Sequence, residues 1–574
     1  MRPWVFGNTT VRSPFRLRDG LIALANSALL GRIKGRDQEN AFAHLLDENG
    51  IVRISREDAD VSDLGRKWRV ALCQLGFIVP ALSPQQELDQ TLIGEQFTLT
   101  VNGRRLIEAE SVPGMQECFL RSLAAYYIPS VLEEDYDYAV FSPLRHTLAV
   151  MLELERRTGD NYLGFLEMGL IVQLTSTGDE LTAIADWILG FRSKRDAAAR
   201  KRQFDRQALD EATAEHDYVA STFTDYADTN FRYIKATGLI HSNGRGLAIV
   251  PEKHLFVEQL VADTDIPDTH DYSYLVALGN GATLPTDNRD TAQLVLNDLV
   301  SQAHTRGIPF DLVGRNLDDT GDIAIIRHEI EQLIAEKNED EYADRQAKAW
   351  EEIAAYMELI FTRRKSLTLD SGEEIKVPQG EVPAYFEWVL WRAFLAINSL
   401  LNKPYEARRF NVDQDFLPIG TAPGNGPDLI LEFDDFVLVV EVTLTESSRQ
   451  EAAEGEPVRR HVADRVYHYG SLSKKPVYGL FIANRIDSNT AETFRIGGWY
   501  TSDDERIQLD IIPVTLSQFQ SFFQALFNSG NAQPGLVRTL LDRCSSSRNV
   551  HEAPAWKLEI DREITTMVEE ISVR

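Results

Sequence analysis

Residues 436–444 read FVLVVEVTL, and apart from Glu441 every one is apolar or β-branched. Such a run suits a strand covered on both faces, in the middle of a sheet. Glu441 interrupts it, and a lone carboxylate in that setting costs several kcal/mol unless it is paired or metal-bound. The segment therefore demands a counter-ion as well as a sheet. Upstream, 429–433 (LILEF) is equally β-prone, and Asp434-Asp435 between the two runs makes a hairpin the expected arrangement. Asp428 opens the first strand after Gly426-Pro427. Glu454 follows Glu441 by 13 residues, as Glu441 follows Asp428, and Glu387 lies in a helix expected over 385–397 that can pack on the sheet. Four convergent carboxylates repel strongly without divalent cations among them. Glu454 has a second reading, as a solvated loop residue beside the equally acidic Glu451 and Glu456.

At 574 residues the chain is too long for one core, and about three to four domains are expected. The Met1-Arg2-Pro3-Trp4 start lacks an apolar signal run, and no stretch nears ~18 uninterrupted apolar residues, so a cytoplasmic, membrane-free protein is expected. Cys73, Cys118 and Cys544 are odd in number, far apart and without CxxC spacing, which suits buried packing and not disulfides or a zinc site.

Short helices are expected over 21–30 and 64–75 (LGRKWRVALCQL), the second stopping at Gly76. After it, 97–107 (FTLTVNGRRLI) reads as two strands turning at Asn102-Gly103. The order recurs as a helix over 230–237, Gly238-Leu239-Ile240 and a hairpin across 242–246 (SNGRG). Helix then two-stranded wing is the winged-helix order, with the helix in the major groove and the wing on backbone or minor groove. An ordinary α/β hairpin packed on a helix has the same pattern. Between 320 and 365 the chain is helical and acidic, a connector or buttress in which the run from Asn338 to Glu341 reads as a solvated face. Pro378 and Pro383 mark a loop before the next apolar helix.

The formal charge of −29 taken alone opposes a polyanionic partner. The average conceals basic islands: residues 1–80 hold 12 Lys/Arg against 9 Asp/Glu, and 191–206 hold seven against two, Asp196 and Asp205. Such islands form one DNA-facing surface if the acids sit elsewhere. At the front, Arg12, Arg16 and Arg18 share a segment with Asn8, Thr9 and Thr10, the side-chain types that clamp phosphate and read guanine. Lys67 and Arg69 lie on the 64–75 helix. Ordinary solvation is the alternative for each.

Pro427-Asp428, a hairpin, then Glu441-Val442-Thr443 resemble the PD-(D/E)xK nuclease core, in which an Asp and a Glu from adjoining strands hold Mg²⁺, a hard ion that activates water and neutralises charge on phosphate. The lysine of that pattern is replaced by Thr443, which disfavours a lysine-oriented nucleophile with one metal and favours extra carboxylates with a second. The string EVTLTESSRQ…EPVRRHV, with WVFGNTTVRSPFR near the start and GPDLILEFDD before the strand, resembles the AlwI-type family of type II restriction endonucleases. The resemblance is strongest over 4–18, 97–122 and 383–465. It implies shifted (type IIS) cutting, in which an N-terminal part reads a short asymmetric site and a C-terminal domain hydrolyses phosphodiester bonds outside it. It also implies Asp428 and Glu441 as ligands of one or two Mg²⁺ ions, the Val442 carbonyl completing the shell, and Glu454 and Glu387 as additional acidic residues. Arg459, Arg460 and His461 follow closely, and both phosphate holding and surface ion pairing fit them. No GxxxxGK[ST], GxSxG or HExxH motif is present, so other hydrolytic chemistries are unsupported.

The expected architecture is α+β and multidomain: a recognition module with a winged-helix-like part at 1–150, a second winged-helix-like module at 151–260, a helical connector at 261–365, and a PD-(D/E)xK, restriction-endonuclease-like mixed-sheet domain at 366–574. The expected function is Mg²⁺-dependent, sequence-specific cleavage of double-stranded DNA. One centre cuts one strand, so double-strand cutting needs a second centre from a homodimer or a partner subunit. Strand-specific nicking, and DNA binding with an inactive nuclease domain, are the alternatives.

Overall fold

The computed structural model describes residues 2–54, 60–81, 93–372, 374–378, 380–472, 475–501 and 503–573. The chain forms two compact units, Met1–Gln332 and Leu333–Arg574, and the division falls within the helix Thr320–Arg345. No described helix is long and apolar enough to cross a membrane. All three cysteines are free and buried.

The first unit is mostly helical. The segment WVFGNTTVRSPFR is part of its core: Trp4 and Phe6 are fully buried, the Trp4 indole N–H donates to the Thr175 carbonyl at 3.1 Å, and the Phe6 N–H donates to Asn230 Oδ1 at 2.9 Å. The helix expected over 21–30 lies earlier, at Arg16–Ala25, and that over 64–75 is Ser62–Gln74, stopped at Gly76 with its φ of +68°. The wing expected over 97–107 does not form; Val101–Glu108 is a helix. Thr100 caps it by accepting from the Gly103 N–H at 2.9 Å, and Asn102 is fully buried, donating to the Cys118 carbonyl at 3.0 Å. A Cβ on Gly103 would lie 2.0 Å from the Phe77 carbonyl oxygen, so this glycine serves a close helix contact and not a reverse turn. The second expected hairpin is present: after the helix Ala220–Lys235, strands Ile240–Asn243 and Gly246–Ile249 pair antiparallel, and Leu163–Gly164 adds a third strand.

The second unit is built on a four-stranded mixed sheet of β1 (Leu429–Glu432), β2 (Val437–Thr443), β3 (Val477–Ala483) and β4 (Asp510–Thr515), ordered β4-β3-β2-β1. β1 pairs antiparallel with β2 across the Asp434-Asp435 turn; β2, β3 and β4 are parallel. A parallel pair needs a crossover, and α2 (Arg449–Leu472) supplies it between β2 and β3. Gly479 lets α2 close onto the sheet, since a Cβ there would meet Val462 at 2.8 Å. The helix α1 (Val382–Ile397) is buried at every position from Ala384 to Ile397, as an apolar helix without a polar face must be. Trp350–Thr362, read from sequence as part of the connector, joins the core of this unit through Ile353, Met357 and Ile360. The run from Asn338 to Glu341 is not simply a solvated face: Glu339 is buried and takes both ends of the Arg408 guanidinium at 2.7 and 2.8 Å.

Candidate active site at the edge of the sheet

The sheet register determines which acids meet. Leu429 lies opposite Val440, which brings Asp428, one residue before β1, beside the end of β2. Asp428 Oδ2 accepts the Val442 N–H at 2.8 Å. Glu441, within β2 and opposite Phe481 of β3, is buried, and its Oε1 lies 2.6 Å from His461 Nδ1 on α2. Glu387 comes from α1, is 5% exposed, and accepts the Ala422 N–H at 2.7 Å through Oε2. Glu454 sits on the first turns of α2, half-buried, and is not a loop residue.

These groups act on one another electrostatically. Burial first, then Asp428 and Glu441, push the Glu387 carboxyl up to about 9. Burial and then the negative charge of Glu454 push Glu441 up to about 8. Asp428 is raised well above the usual carboxylate range, by burial, then Glu441 and more weakly Glu454, against the Val442 N–H and His461. Burial and then Arg460 lower His461. His461 Nε2 is buried without a hydrogen-bond partner.

Among the described residues, no group of three or more His, Cys, Asp and Glu side chains is already gathered in a metal-holding arrangement. Each acid instead has a protein partner: Asp428 accepts the Val442 N–H, Glu387 accepts the Ala422 N–H, and Glu441 shares a hydrogen bond with His461 Nδ1. The donor set still suits a hard cation, because it consists of carboxylate oxygens that raise one another's proton affinity, and a cation relieves that repulsion. Thr443, in the lysine position, is buried, and its hydroxyl accepts the Thr445 N–H at 3.1 Å.

Positive charge reaches Glu441 from Arg409 and Arg460. Arg460 also pairs with Glu456 at 3.1 Å, while Arg459 bonds the Gly455 carbonyl at 3.0 Å and lies over Trp499. No motif pointed to Arg409. Its guanidinium donates to Asn425 Oδ1 at 2.5 Å and to the Pro423 and Pro427 carbonyls, and a Cβ on Gly426 would collide with it at 2.2 Å. Gly426, before Pro427-Asp428, was the available signal: the loop is shaped around this side chain.

The basic residues expected to contact DNA have internal partners in the first unit. Arg18 caps the C-terminal end of Val101–Glu108 by donating to the Leu106, Ile107 and Ala109 carbonyls. Arg69 forks onto Glu39 at 2.7 and 3.1 Å, and Arg16 donates to the Ile51 carbonyl. Arg12 pairs with Asp225 at 3.0 Å and Lys67 with Asp63 at 2.7 Å, both partly exposed.

A buried set of acids on adjoining strands and helices, with guanidinium groups beside it, suits an enzyme that handles an anionic ester with the help of cations. The chain belongs to the AlwI restriction endonuclease family, whose model matches residues 73–522. It is a type II restriction endonuclease, and its substrate is DNA. The match takes in Glu387, Asp428, Glu441, Val442, Glu454, Arg459, Arg460 and His461, and begins after Arg12, Arg16, Arg18, Lys67 and Arg69. Among solved structures, the chain is similar to the small subunit R.BspD6I2 of the heterodimeric restriction endonuclease R.BspD6I, with 24% identity over 38% of this chain and 97% of that one and a TM-score of 0.28. Curated proteins give no significant match.

Proposed function

We propose that the second unit is a Mg²⁺-dependent nuclease of the PD-(D/E)xK type and that the first reads a short asymmetric DNA site, so that cutting falls outside it. The observation that carries this reading is a chain of raised carboxyls: after burial, Asp428 and Glu441 raise Glu387, Glu441 and Glu454 raise Asp428, and Glu454 raises Glu441. Asp428, Glu441, the Val442 carbonyl and Glu454 would hold the cation, with Glu387 as a further acid for a second one. Bound there, Mg²⁺ supplies water activation and neutralises the charge that develops on phosphorus. Arg409 and Arg460 hold the scissile phosphate near the acids, and His461 positions Glu441 through Nδ1. Thr443 carries no charge, so orientation of the nucleophile falls to the carboxylates. Arg12 and Lys67, whose partners are exposed, remain candidates for DNA contact; Arg16, Arg18 and Arg69 shape the surface around them.

The proposed acid set occurs once per chain. A single chain therefore cuts one strand, and double-strand cutting takes a second copy or a partner subunit. Supercoiled plasmid with Mg²⁺ distinguishes the two modes, since persistent open circles mean nicking and linear product means paired cutting. Sequencing the ends gives the site and the offset. Cuts without a fixed offset from any sequence, or full cleavage by Asp428→Ala, contradict the proposal. Specific binding by a wild type that never cuts supports an inactive nuclease domain instead.

A further inference from the structure

Seven basic residues fall within 191–206, and the structure divides them in two. Arg192 forks onto Glu167 at 2.8 Å, Arg195 onto Asp205 at 2.6 and 2.8 Å, and Lys201 pairs with Asp196 at 2.6 Å. These three hold the helices Leu181–Ala197 and Lys201–His216 and the turn between them. The other four, Lys194, Arg200, Arg202 and Arg206, are exposed and have no side-chain hydrogen bond or ion pair among the described residues. Both acids of the segment are taken up by the first group, so the second is left as net positive charge in a chain of net charge −29.

Stability does not account for this arrangement. Lys201–His216 contributes no buried residue to the core, and its main apolar attachment is Phe204 against Phe191, ring centres 5.4 Å apart. Arg202 and Arg206 stand four apart on one helix face, where like charges disfavour the helix. Arg200, Lys201, Arg202 and Arg206 line an open groove of about 780 Å³ with Gln203, Gln207 and one acid, Asp210. Arg12, Arg69 and Lys67, the basic residues that motif and position favour, are by contrast paired with acids.

We infer that this groove is a phosphate-backbone seat for duplex DNA: Arg200, Arg202 and Arg206 grip consecutive phosphates and Lys194 adds charge at the rim, which gives the first unit affinity and register but no base readout. The inference deepens the reading of the first unit as the DNA-recognition part and rests on it. Charge complementarity singles out the duplex, because a polyanion is what converts an uncompensated arginine strip in an acidic protein into binding.

The test is binding of a short labelled duplex carrying the mapped site, and of a scrambled duplex, measured against salt in EDTA. For R200Q/R202Q/R206Q we expect at least ~10-fold weaker binding to both duplexes and a log–log salt slope shallower by about 2 to 3, since each phosphate contact contributes about 0.9. R202K/R206K keeps the slope. Arg156→Gln, which removes an exposed charge paired with Glu153, leaves it unchanged. The exposed positions make folding easy to verify by circular dichroism. An unchanged slope in the triple variant, a loss confined to the cognate duplex, or an equal loss in Arg156→Gln overturns the inference. The nuclease reading stands or falls separately: the triple variant still cuts at low salt and high enzyme concentration, whereas Asp428→Ala binds and does not cut.

Discussion

Two regions of the second unit bury glutamates to the same depth and provide for them oppositely. Glu339, 4% exposed, faces Arg408, whose guanidinium meets both its oxygens and lies over Trp391. Glu387, 5% exposed, has one backbone N–H and feels the negative charge of two further carboxylates, Asp428 and Glu441. Buried charge is tolerated when paired, and the first region is complete as folded. In the second, burial and neighbouring carboxylates hold protons on the acids, Glu387 up to about 9 and Glu441 up to about 8. Burial therefore does not distinguish an architectural acid from one of the proposed site; the sign of the nearest charge does.

That contrast breaks first at cleavage. Asp428→Ala and Glu441→Gln are expected to lower the cleavage rate by about 10³-fold or more, the scale of losing several kcal/mol of charge stabilisation, while DNA affinity in EDTA changes little. Arg408→Met leaves turnover per folded molecule unchanged and lowers stability by roughly 3–5 kcal/mol, because it strands Glu339; chemical denaturation and activity per folded molecule read the two effects apart. A rate loss in the second variant without destabilisation would erase the distinction.

Divalent cations sharpen it. Saturation with Mg²⁺ at about 100 times its dissociation constant adds roughly 2.7 kcal/mol to stability, and Glu441→Gln removes most of that gain whereas Arg408→Met does not; thermal melts with and without Mg²⁺ report it. The pH dependence is smaller and has a definite sign. Glu387 is raised from 4.5 to about 9 and Glu441 from 4.5 to about 8 in the folded protein, by burial first. Between those values the folded state binds more protons than the unfolded one, so stability falls as pH rises. Without divalent ions the contribution of these groups is full at and below about pH 4.5 and is lost progressively up to about pH 8 to 9. Glu387→Gln flattens that slope, and Mg²⁺ opposes it. Denaturation midpoints across pH check both.

The central hairpin and α1 were legible because their patterns are extreme: 429–443 is β-prone on both sides of Asp434-Asp435, and α1 is apolar on every face. The helix at 101–108 was not. Asn102-Gly103 is a strong local turn signal, and it lost to the Thr100 cap and to a contact with Phe77 that local sequence does not reveal. Glu454 was ambiguous for a related reason, since three glutamates and Pro457 obscure the start of α2. Arg409 was invisible because it reaches the acids through the Gly426 loop, and the pairing of Arg18 with carbonyls and of Arg69 with Glu39 depends on tertiary neighbours that composition cannot supply.

Calorimetry with Mn²⁺ in two buffers of different ionisation heat tests the acid cluster most directly. Near pH 7, binding by the wild type is expected with release of protons, because carboxyls held up to about 8 and 9 must give theirs up to coordinate, and Asp428→Ala/Glu441→Gln is expected to lose both the binding and the buffer dependence. Binding that survives unchanged in the double variant, or binding whose heat is independent of the buffer, contradicts the account.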